Sequence, residues 1–378
     1  MNSNPQNHVN PVKKSLNHGE PHMNIKQITR ASSRALLRIA LAALFVSLSS
    51  AFAQDLSAQW KQVDEADNKD QPKTAITLLE GIVQTAIQGE KWDDALFASA
   101  RKAILQGRIE EGEQAYGALL RLEEARKTAS AKMQPFLDAL IAEWNVKFFL
   151  DNRWTFAQRT QIAGSEEGKD IGKWSLPRIV KEVGDRFDRV LTTPQRFFAY
   201  PIKDFSRCFT PGNIDDEYRP TIYDLLAHRA IDFYSSAEQG LLENDPDFIV
   251  TTDMPLFAQP KAFMKWAEKE FSLKDAGIRK ALFITAQRMR VNQVAGRAIA
   301  FADGDFNRIQ LAKQLLVAVG VDTVDAYDKA LAAFVSRWND NEVGTRAMQV
   351  RQSIAALERA TLASDLAQQA LELIGKLT

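Results

Sequence analysis

The sequence has few of the residues that most catalytic and metal sites require. Cysteine occurs once, at Cys208, and three of the four histidines (His8, His18 and His22) lie within the first 22 residues. A lone cysteine forms no disulfide within the chain, and a structural zinc site takes four Cys or His ligands. Any Ser-His-Asp triad or Cys-His pair downstream of residue 53 has to use His228, the one histidine there.

Nucleotide-binding glycine motifs and the His-Glu-x-x-His zinc motif are also absent. Lys plus Arg and Asp plus Glu number 48 each, but residues 1–53 contain six basic residues and one acidic residue. The rest of the chain therefore has 42 basic and 47 acidic residues, a net charge of −5. Nucleic-acid binding needs a concentrated basic face, so we expect no nucleic-acid partner. Because the nucleotide-binding motifs are absent, we also expect no cofactor.

The N-terminal region predicts export. Residues 23–53 begin with a basic stretch, continue with the apolar run 39–48 and end in the small-residue pattern Ala51-Phe52-Ala53. This order is typical of a secretory signal peptide, and the run is shorter than the ~20 residues that a membrane anchor needs. We expect a periplasmic mature chain from about Gln54, without a membrane span. Residues 1–22 are interpreted as a disordered leader or a misassigned start.

From residue 54 onward the sequence predicts an all-α fold of consecutive amphipathic helices. Pro72 opens a helix whose apolar residues recur every three to four positions, and Gly89 ends it. Three more helices are expected in this block, one from Trp92 to a stop at Gly107 and the others over 109–129 and 133–150. Helices of this length with short connections are typical of a TPR-like α-hairpin solenoid. No segment shows a strand pattern of any strength.

The remaining chain divides into two parts. After the helical-hairpin domain 54–160 comes an irregular segment, 161–260, rich in proline and aromatics, with two or more helices. Its loop 194–220 is expected to pack on the helices through Phe197, Phe198, Tyr200 and Phe205, because long free loops are unusual in compact domains. Helical hairpins return in 261–378, where helices over 323–338 and 342–360 join at 339–341 and a last helix covers 361–377.

The stretch "EYRPTIYDLLAHRAIDFY" (217–234) contains the candidate site. Thr221 and Asp224 match a helix-capping pattern, and apolar residues cover most of the predicted helix, which is therefore expected to be largely buried. Asp224, His228 and Asp232 follow at intervals of four, on one polar strip. They could bind a divalent metal or transfer a proton. Three ligands on one helix, with no fourth indicated, favour instead a structural histidine held by carboxylates, so no metal site is predicted.

Two other features have ordinary structural interpretations. Cys208 in "SRCFTP" has Arg207 as its sole cationic neighbour in sequence, which favours a buried small residue over a nucleophile. A group of aromatics could line a peptide or glycan groove, but their helical spacing favours core packing; these are Trp144, Phe148, Phe149, Trp154 and Phe156.

Four segments in order resemble a known family. They are "WKQVDEADNKDQPKTAITLLEGI" (60–82), "NRWTFAQRT" (152–160), "KWSLPRIVKEVGDRF" (173–187) and "YRPTIYDLLAHRAIDFY" (218–234). The series is similar to the N-terminal helical region of the large bacterial alpha-2-macroglobulin-like proteins, from Trp60 to about Ser236 and more loosely beyond.

The resemblance implies a role in protease inhibition in the cell envelope, where a cleaved bait segment triggers entrapment of the protease. The family's reactive thioester does not carry over, because Cys208 is followed by Phe209 and Thr210 instead of Gly-Glu-Gln. No β-sandwich, bait or thioester part is present in the sequence. We therefore expect a non-enzymatic scaffold, truncated or independent, with protein partners in the envelope, proteases among them. The alternative is a free-standing periplasmic helical-repeat protein that binds peptides or envelope proteins.

Overall fold

The computed structural model describes residues 22–23, 56–111, 116–157, 171, 174–210, 212, 215–236 and 248–377. Its secondary structure is helical apart from one short two-stranded ladder and an isolated bridge between Pro201 and Thr221, which confirms the all-α prediction. Its α-helices are α1 Ser57–Asn68, α2 Pro72–Gln88, α3 Trp92–Glu111, α4 Gly117–Thr128, α5 Gln134–Ala157, α6 Leu176–Leu191, α7 Gln195–Phe198, α8 Ile222–Tyr234, α9 Pro260–Glu270, α10 Gly277–Val294, α11 Ala298–Ala318, α12 Val324–Trp338 and α13 Glu342–Leu377.

The first helices follow the sequence signals closely. Proline occupies the first turn of α2, where its missing N–H costs no hydrogen bond, and Gly89 caps the C-terminus as predicted. The interior side of α2 contains Leu79 and Ile82, both fully buried. From α1 to α6, each helix packs on the next one along the chain.

Gly107 does not end α3, contrary to the prediction. The helix continues to Glu111, and Gly107 lies where α3 crosses α4. A Cβ atom at this position would lie 2.7 Å from the backbone nitrogen of Ala118, so glycine allows the two backbones to approach. The helix predicted over 109–129 begins only at Gly117 among the described residues, and residues 112–115 lie outside them.

The proline-rich connection after α6 packs on the helices as predicted. The ring of Phe136 on α5 lies 6.0 Å from Phe197, 4.9 Å from Tyr200 and 5.9 Å from Phe205, measured between centroids. Phe198 packs edge-on against Tyr223 of α8. Aromatic contacts therefore hold this loop in place. Two short 3₁₀ turns, Ile202–Phe205 and Asp216–Tyr218, lie in this loop, and a third 3₁₀ turn, Pro255–Phe257, follows α8.

Two short strands form the ladder. β1 (His22–Met23) pairs antiparallel with β2 (Phe209–Thr210), with His22 opposite Thr210. The sequence analysis left residues 1–22 outside the fold, and His22 is the exception. Apart from Met23, the predicted signal peptide 23–53 lies outside the described residues, as does its apolar run.

The C-terminal helices differ from the prediction at one point. α12 and α13 form the expected hairpin across residues 339–341, where Gly344 lets the α13 backbone pass close to the carbonyl of Trp338. The helices predicted over 342–360 and 361–377, however, are one helix of 36 residues. No glycine or proline occurs between residues 345 and 374 to interrupt it. Leu362 and Leu366, in the C-terminal part of this helix, are 60% and 56% exposed.

Two hydrophobic clusters fill the interior. The larger one extends from Leu56 at the start of α1 to Leu316 near the end of α11, and the smaller one joins Tyr218 to α11, α12 and α13. Among the described helices, none combines the length and apolar character needed to cross a membrane.

Candidate functional site

The candidate helix α8 begins as its sequence predicts. Thr221 is the N-cap residue, and its hydroxyl accepts the backbone N–H of Asp224 at 3.3 Å while donating to the Asp224 carboxylate at 2.6 Å. This satisfies one of the free N–H groups of the first turn. The prediction of a largely buried helix is confirmed, since Arg229 and Asp232 are its only residues that are not buried.

Asp224 is directed into the protein and away from the polar strip predicted for it. Its carboxylate is fully buried and accepts hydrogen bonds from Thr221 and from Asn292 Nδ2 on α10, at 2.6 Å each. The Arg288 Nε atom lies 3.6 Å away. The carboxylate oxygens thus face donors, so this buried polar group has its hydrogen bonds satisfied.

His228 and Asp232 do come together, as their spacing predicted. His228 Nε2 lies 3.5 Å from Asp232 Oδ2, and the Asp232 side chain is 57% exposed. His228 itself is 8% exposed. The pair therefore lies at the edge of the core, while Asp224 lies inside it. Across the described residues, no group of three or more His, Cys, Asp or Glu side chains is arranged to hold a metal ion.

Asp224 belongs to a buried network of charges that the sequence analysis missed. At its centre, Arg288 donates to Asp303 Oδ2 at 2.8 Å and to the backbone carbonyl of Tyr218 at 3.1 Å. Arg219 and Arg346 approach the same aspartate at 3.8 and 3.7 Å. The network joins the start of α8 to α10, α11 and α13, segments that are distant in sequence.

The pKa of Asp303 shows that the charges in this network are paired. Burial acts to raise this pKa, but the guanidinium groups of Arg288 and Arg219 outweigh it and hold the pKa below its usual value. Asp303 is therefore ionised at neutral pH although it is fully buried. A carboxylate held in this state is a poor general acid, because it has no proton to donate near pH 7.

A second buried group lies on the neighbouring turn of α11. Arg308 pairs with Asp305 at 2.7 Å and donates to the backbone carbonyl of Leu256, while Arg337 of α12 reaches Asp305 at 2.9 Å. Burial lowers the pKa of Arg308, and Asp305 opposes this shift. The group fixes the 3₁₀ turn at Pro255–Phe257 and the C-terminal end of α12 against α11.

Cys208 is buried, in agreement with the prediction of a small core residue. Asp93 in the first turn of α3 accepts the backbone N–H groups of Arg207 and Cys208 at 3.0 and 3.1 Å. Burial raises the pKa of the Cys208 thiol well above its usual value, and the nearby Asp93 carboxylate adds to the effect. A thiol in this state is protonated and unreactive at neutral pH.

The aromatic group on α5 is core packing with one exception. Trp144, Phe149 and Phe156 are buried, and Phe148 is partly buried. Trp154 is 71% exposed, with the Arg153 guanidinium 5.1 Å from its ring centroid. The core interpretation is therefore wrong for Trp154.

Signals for the buried network exist in the sequence but are not local. In sequence, Arg288 and Asp303 look like ordinary charged residues of amphipathic helices, and only the folded chain brings α10 and α11 together.

Comparison with protein-family models, with curated proteins and with solved structures finds no match to this chain.

Proposed function

We propose that the chain is an exported, non-enzymatic helical scaffold module of an alpha-2-macroglobulin-like protease-inhibitor system. The proposal rests on the four sequence segments that resemble this family, and one structural observation supports it. Residues of the first, third and fourth segments make internal contacts, whereas Trp154 of the second segment is 71% exposed. Phe187 packs on Phe233 at 5.7 Å between ring centroids, and the Tyr234 hydroxyl donates to the carbonyl of Gly184 at 3.1 Å.

The first of the four segments is used in the same way. Trp60 on α1 is buried and its Nε1–H donates to Asp94 of α3 at 2.7 Å. Arg101 of α3 pairs with Asp64 and Asp67 of α1 at 2.6 and 3.0 Å. Side chains with these contacts position neighbouring helices, as a scaffold requires.

Affinity purification tests this proposal. The full chain, tagged after Thr378 and expressed in its own host, is recovered from an envelope extract and the bound proteins are identified. We expect a large polypeptide with macroglobulin-like, strand-rich sequence to co-purify. Recovery of the chain without such a polypeptide contradicts the proposal.

A second measurement tests its non-enzymatic part. The purified protein is assayed against ester, peptide and glycoside substrates beside a His228→Gln variant, which keeps a polar side chain of similar size. We expect equal background rates from both proteins. Turnover that disappears in the variant would assign chemistry to α8 and overturn the proposal.

The second candidate function is a periplasmic TPR-like helical-repeat protein that binds peptides or envelope proteins. The observation that favours it is the packing of α1 to α6, in which each helix contacts the next, as in arrays of α-hairpins. The DNA downstream of codon 378 distinguishes the two. A continuing or frameshifted reading frame rich in alternating apolar strands supports the scaffold, whereas unrelated genes after an intact stop favour the binding protein.

A further inference from the structure

One oxygen of the buried Asp303 carboxylate lacks a donor in the protein. Asp303 Oδ2 accepts hydrogen bonds from Arg288 Nη2 at 2.8 Å and from Asn307 Nδ2 at 2.9 Å. Asp303 Oδ1, on the same fully buried side chain, has no hydrogen-bond donor among the described residues. Burying an acceptor without a donor costs free energy, and native proteins rarely leave such an atom unsatisfied. Asp303 Oδ1 therefore needs a donor that the described side chains do not supply.

Arg346 of α13 faces this oxygen without reaching it. Its Nη1 atom lies 3.7 Å from Asp303 Oδ1, beyond hydrogen-bond distance. Its Nη2 atom is buried and has no acceptor among the residues that the structure describes. The guanidinium group lies 5.7 Å from the ring centroid of Tyr218 and 5.5 Å from that of Phe306. Cation–π contacts with these two rings favour the present position of the group over a closer approach to Asp303.

We propose that one ordered, long-lived water molecule bridges Arg346 and Asp303. The water accepts an N–H of the Arg346 guanidinium group and donates an O–H to Asp303 Oδ1. An oxygen atom about 2.8 Å from the carboxylate and about 2.9 Å from the nitrogen reaches both groups across the 3.7 Å gap. Buried waters in proteins typically satisfy polar groups that lack a protein partner in this way.

The chemistry of the two groups selects water over an ion. A guanidinium group only donates hydrogen bonds and an ionised carboxylate only accepts them, so the bridging molecule must accept one hydrogen bond and donate another. A halide ion has no proton to donate and is repelled by Asp303, whereas a cation has no lone pair to accept with and is repelled by Arg346. The Arg346 side chain is 18% exposed, which places the site at the edge of the buried network, where water enters from solvent.

Asp305, on the next turn face of α11, provides a matched comparison. It is as fully buried as Asp303. Its Oδ1 atom pairs with Arg308 Nη2 at 2.7 Å, and its Oδ2 atom pairs with Arg337 Nη2 at 2.9 Å. Both oxygens thus have a donor in the protein, and no bridging water is expected between Asp305 and Arg337.

A crystal structure of the full chain at about 2 Å or better tests the bridge directly. We expect a water about 2.6–3.2 Å from both Asp303 Oδ1 and a terminal nitrogen of Arg346, and none bridging Asp305 to Arg337. Density that shows a direct hydrogen bond from Arg346 to Asp303 Oδ1, or no water between the two groups, overturns the proposal.

Magnetic relaxation dispersion of the water ¹⁷O nucleus tests the bridge in solution, because it counts the water molecules that stay in the protein for longer than its rotation. Arg346→Met removes the donor and keeps most of the length of the side chain, so we expect the loss of one long-lived water. Arg337→Met makes the same change at a directly bonded pair and is expected to leave the count unchanged. An unchanged count in Arg346→Met, or an equal loss in both variants, overturns the proposal.

Discussion

Replacement of Arg288 by methionine is the most direct test of the buried charge network. Methionine keeps most of the length of the side chain and removes its charge, so the change isolates the guanidinium group. Arg288 is 1% exposed and lies 2.8 Å from Asp303. Without it, Asp303 keeps a hydrogen bond from Asn307 Nδ2 at 2.9 Å, while Arg219 and Arg346 lie 3.8 and 3.7 Å away, beyond hydrogen-bond distance.

The expected loss of stability follows from this burial. Removing one partner of a buried pair costs about 3–5 kcal/mol, because Asp303 loses its closest cation, at 2.8 Å, and Asp224 loses the guanidinium group 3.6 Å away. The same helix provides a matched control. Arg290 lies 2.9 Å from Glu268, but its side chain is 37% exposed, and a pair of this kind contributes about 0–1 kcal/mol. Arg290→Met is therefore expected to be nearly neutral.

The effect also depends on pH in a defined direction. The pKa of Asp303 in the folded state is lowered below its ordinary value of 3.8. Ionised Asp303 therefore stabilises the fold at pH values above 3.8, and this stabilisation is lost as the pH falls through the folded-state pKa. Removal of Arg288 raises this pKa. The difference between wild type and Arg288→Met is therefore widest at neutral pH and narrows below about pH 4.

Urea unfolding followed by circular dichroism measures both variants. With a slope near 3 kcal/mol/M, a loss of about 3–5 kcal/mol moves the midpoint by roughly 1 M or more. Equal midpoints for Arg288→Met and Arg290→Met would refute the reasoning, as would a difference that does not change with pH. Either result would mean that the network carries little of the free energy of unfolding.

Three further outcomes are expected. Gly107→Ala places a Cβ atom 2.7 Å from the backbone of Ala118, so we expect a lower thermal midpoint and a loss of about 1–3 kcal/mol in the free energy of unfolding. Gly81→Ala is the control, because its Cβ meets nothing within 4 Å and the change adds about 0.5–1 kcal/mol of stability through helix propensity. A destabilised Gly81 variant would contradict this. Phe136→Ala removes the ring on which the connecting loop packs and costs about 3–5 kcal/mol in urea titrations, and a loss under about 1 kcal/mol would show that the loop is held elsewhere. Because burial raises the pKa of the Cys208 thiol, maleimide labelling at pH 8 should be slow until denaturant is added, and fast labelling of the native protein argues against the packing described.

Local signals predicted the parts of the fold that are locally determined. Pro72 and Gly89 bound α2 as expected, and Thr221 caps α8 through its hydroxyl. The prediction that Gly107 ends α3 was wrong, because glycine occurs both at helix ends and where two helix backbones approach closely. The sequence of α3 alone does not distinguish these two uses, since the second depends on the neighbouring helix α4. The division of α13 at residue 360 was wrong, because no glycine or proline between residues 345 and 374 interrupts the helix.

The candidate site could be predicted in part for the same reason. Spacing along one helix brought His228 and Asp232 together, since residues four apart share a face. The direction of Asp224 depends on Asn292 and Arg288, and their distance in space is a property of the folded chain. Buried charge pairs between distant segments are invisible to periodicity, because each member resembles a solvent-exposed residue of an amphipathic helix.

The buried charge network joins helices that are distant in sequence, and this affects how α10 aligns with α8 and α11. A slip of α10 by one turn against α8 and α11 would move Arg288 by about 5.4 Å and separate its guanidinium group from Asp224 and Asp303. Contacts between leucine and alanine side chains tolerate such a shift far better, because the hydrophobic effect is non-directional. The paired charges therefore favour the observed alignment of α10 over alignments shifted by one turn.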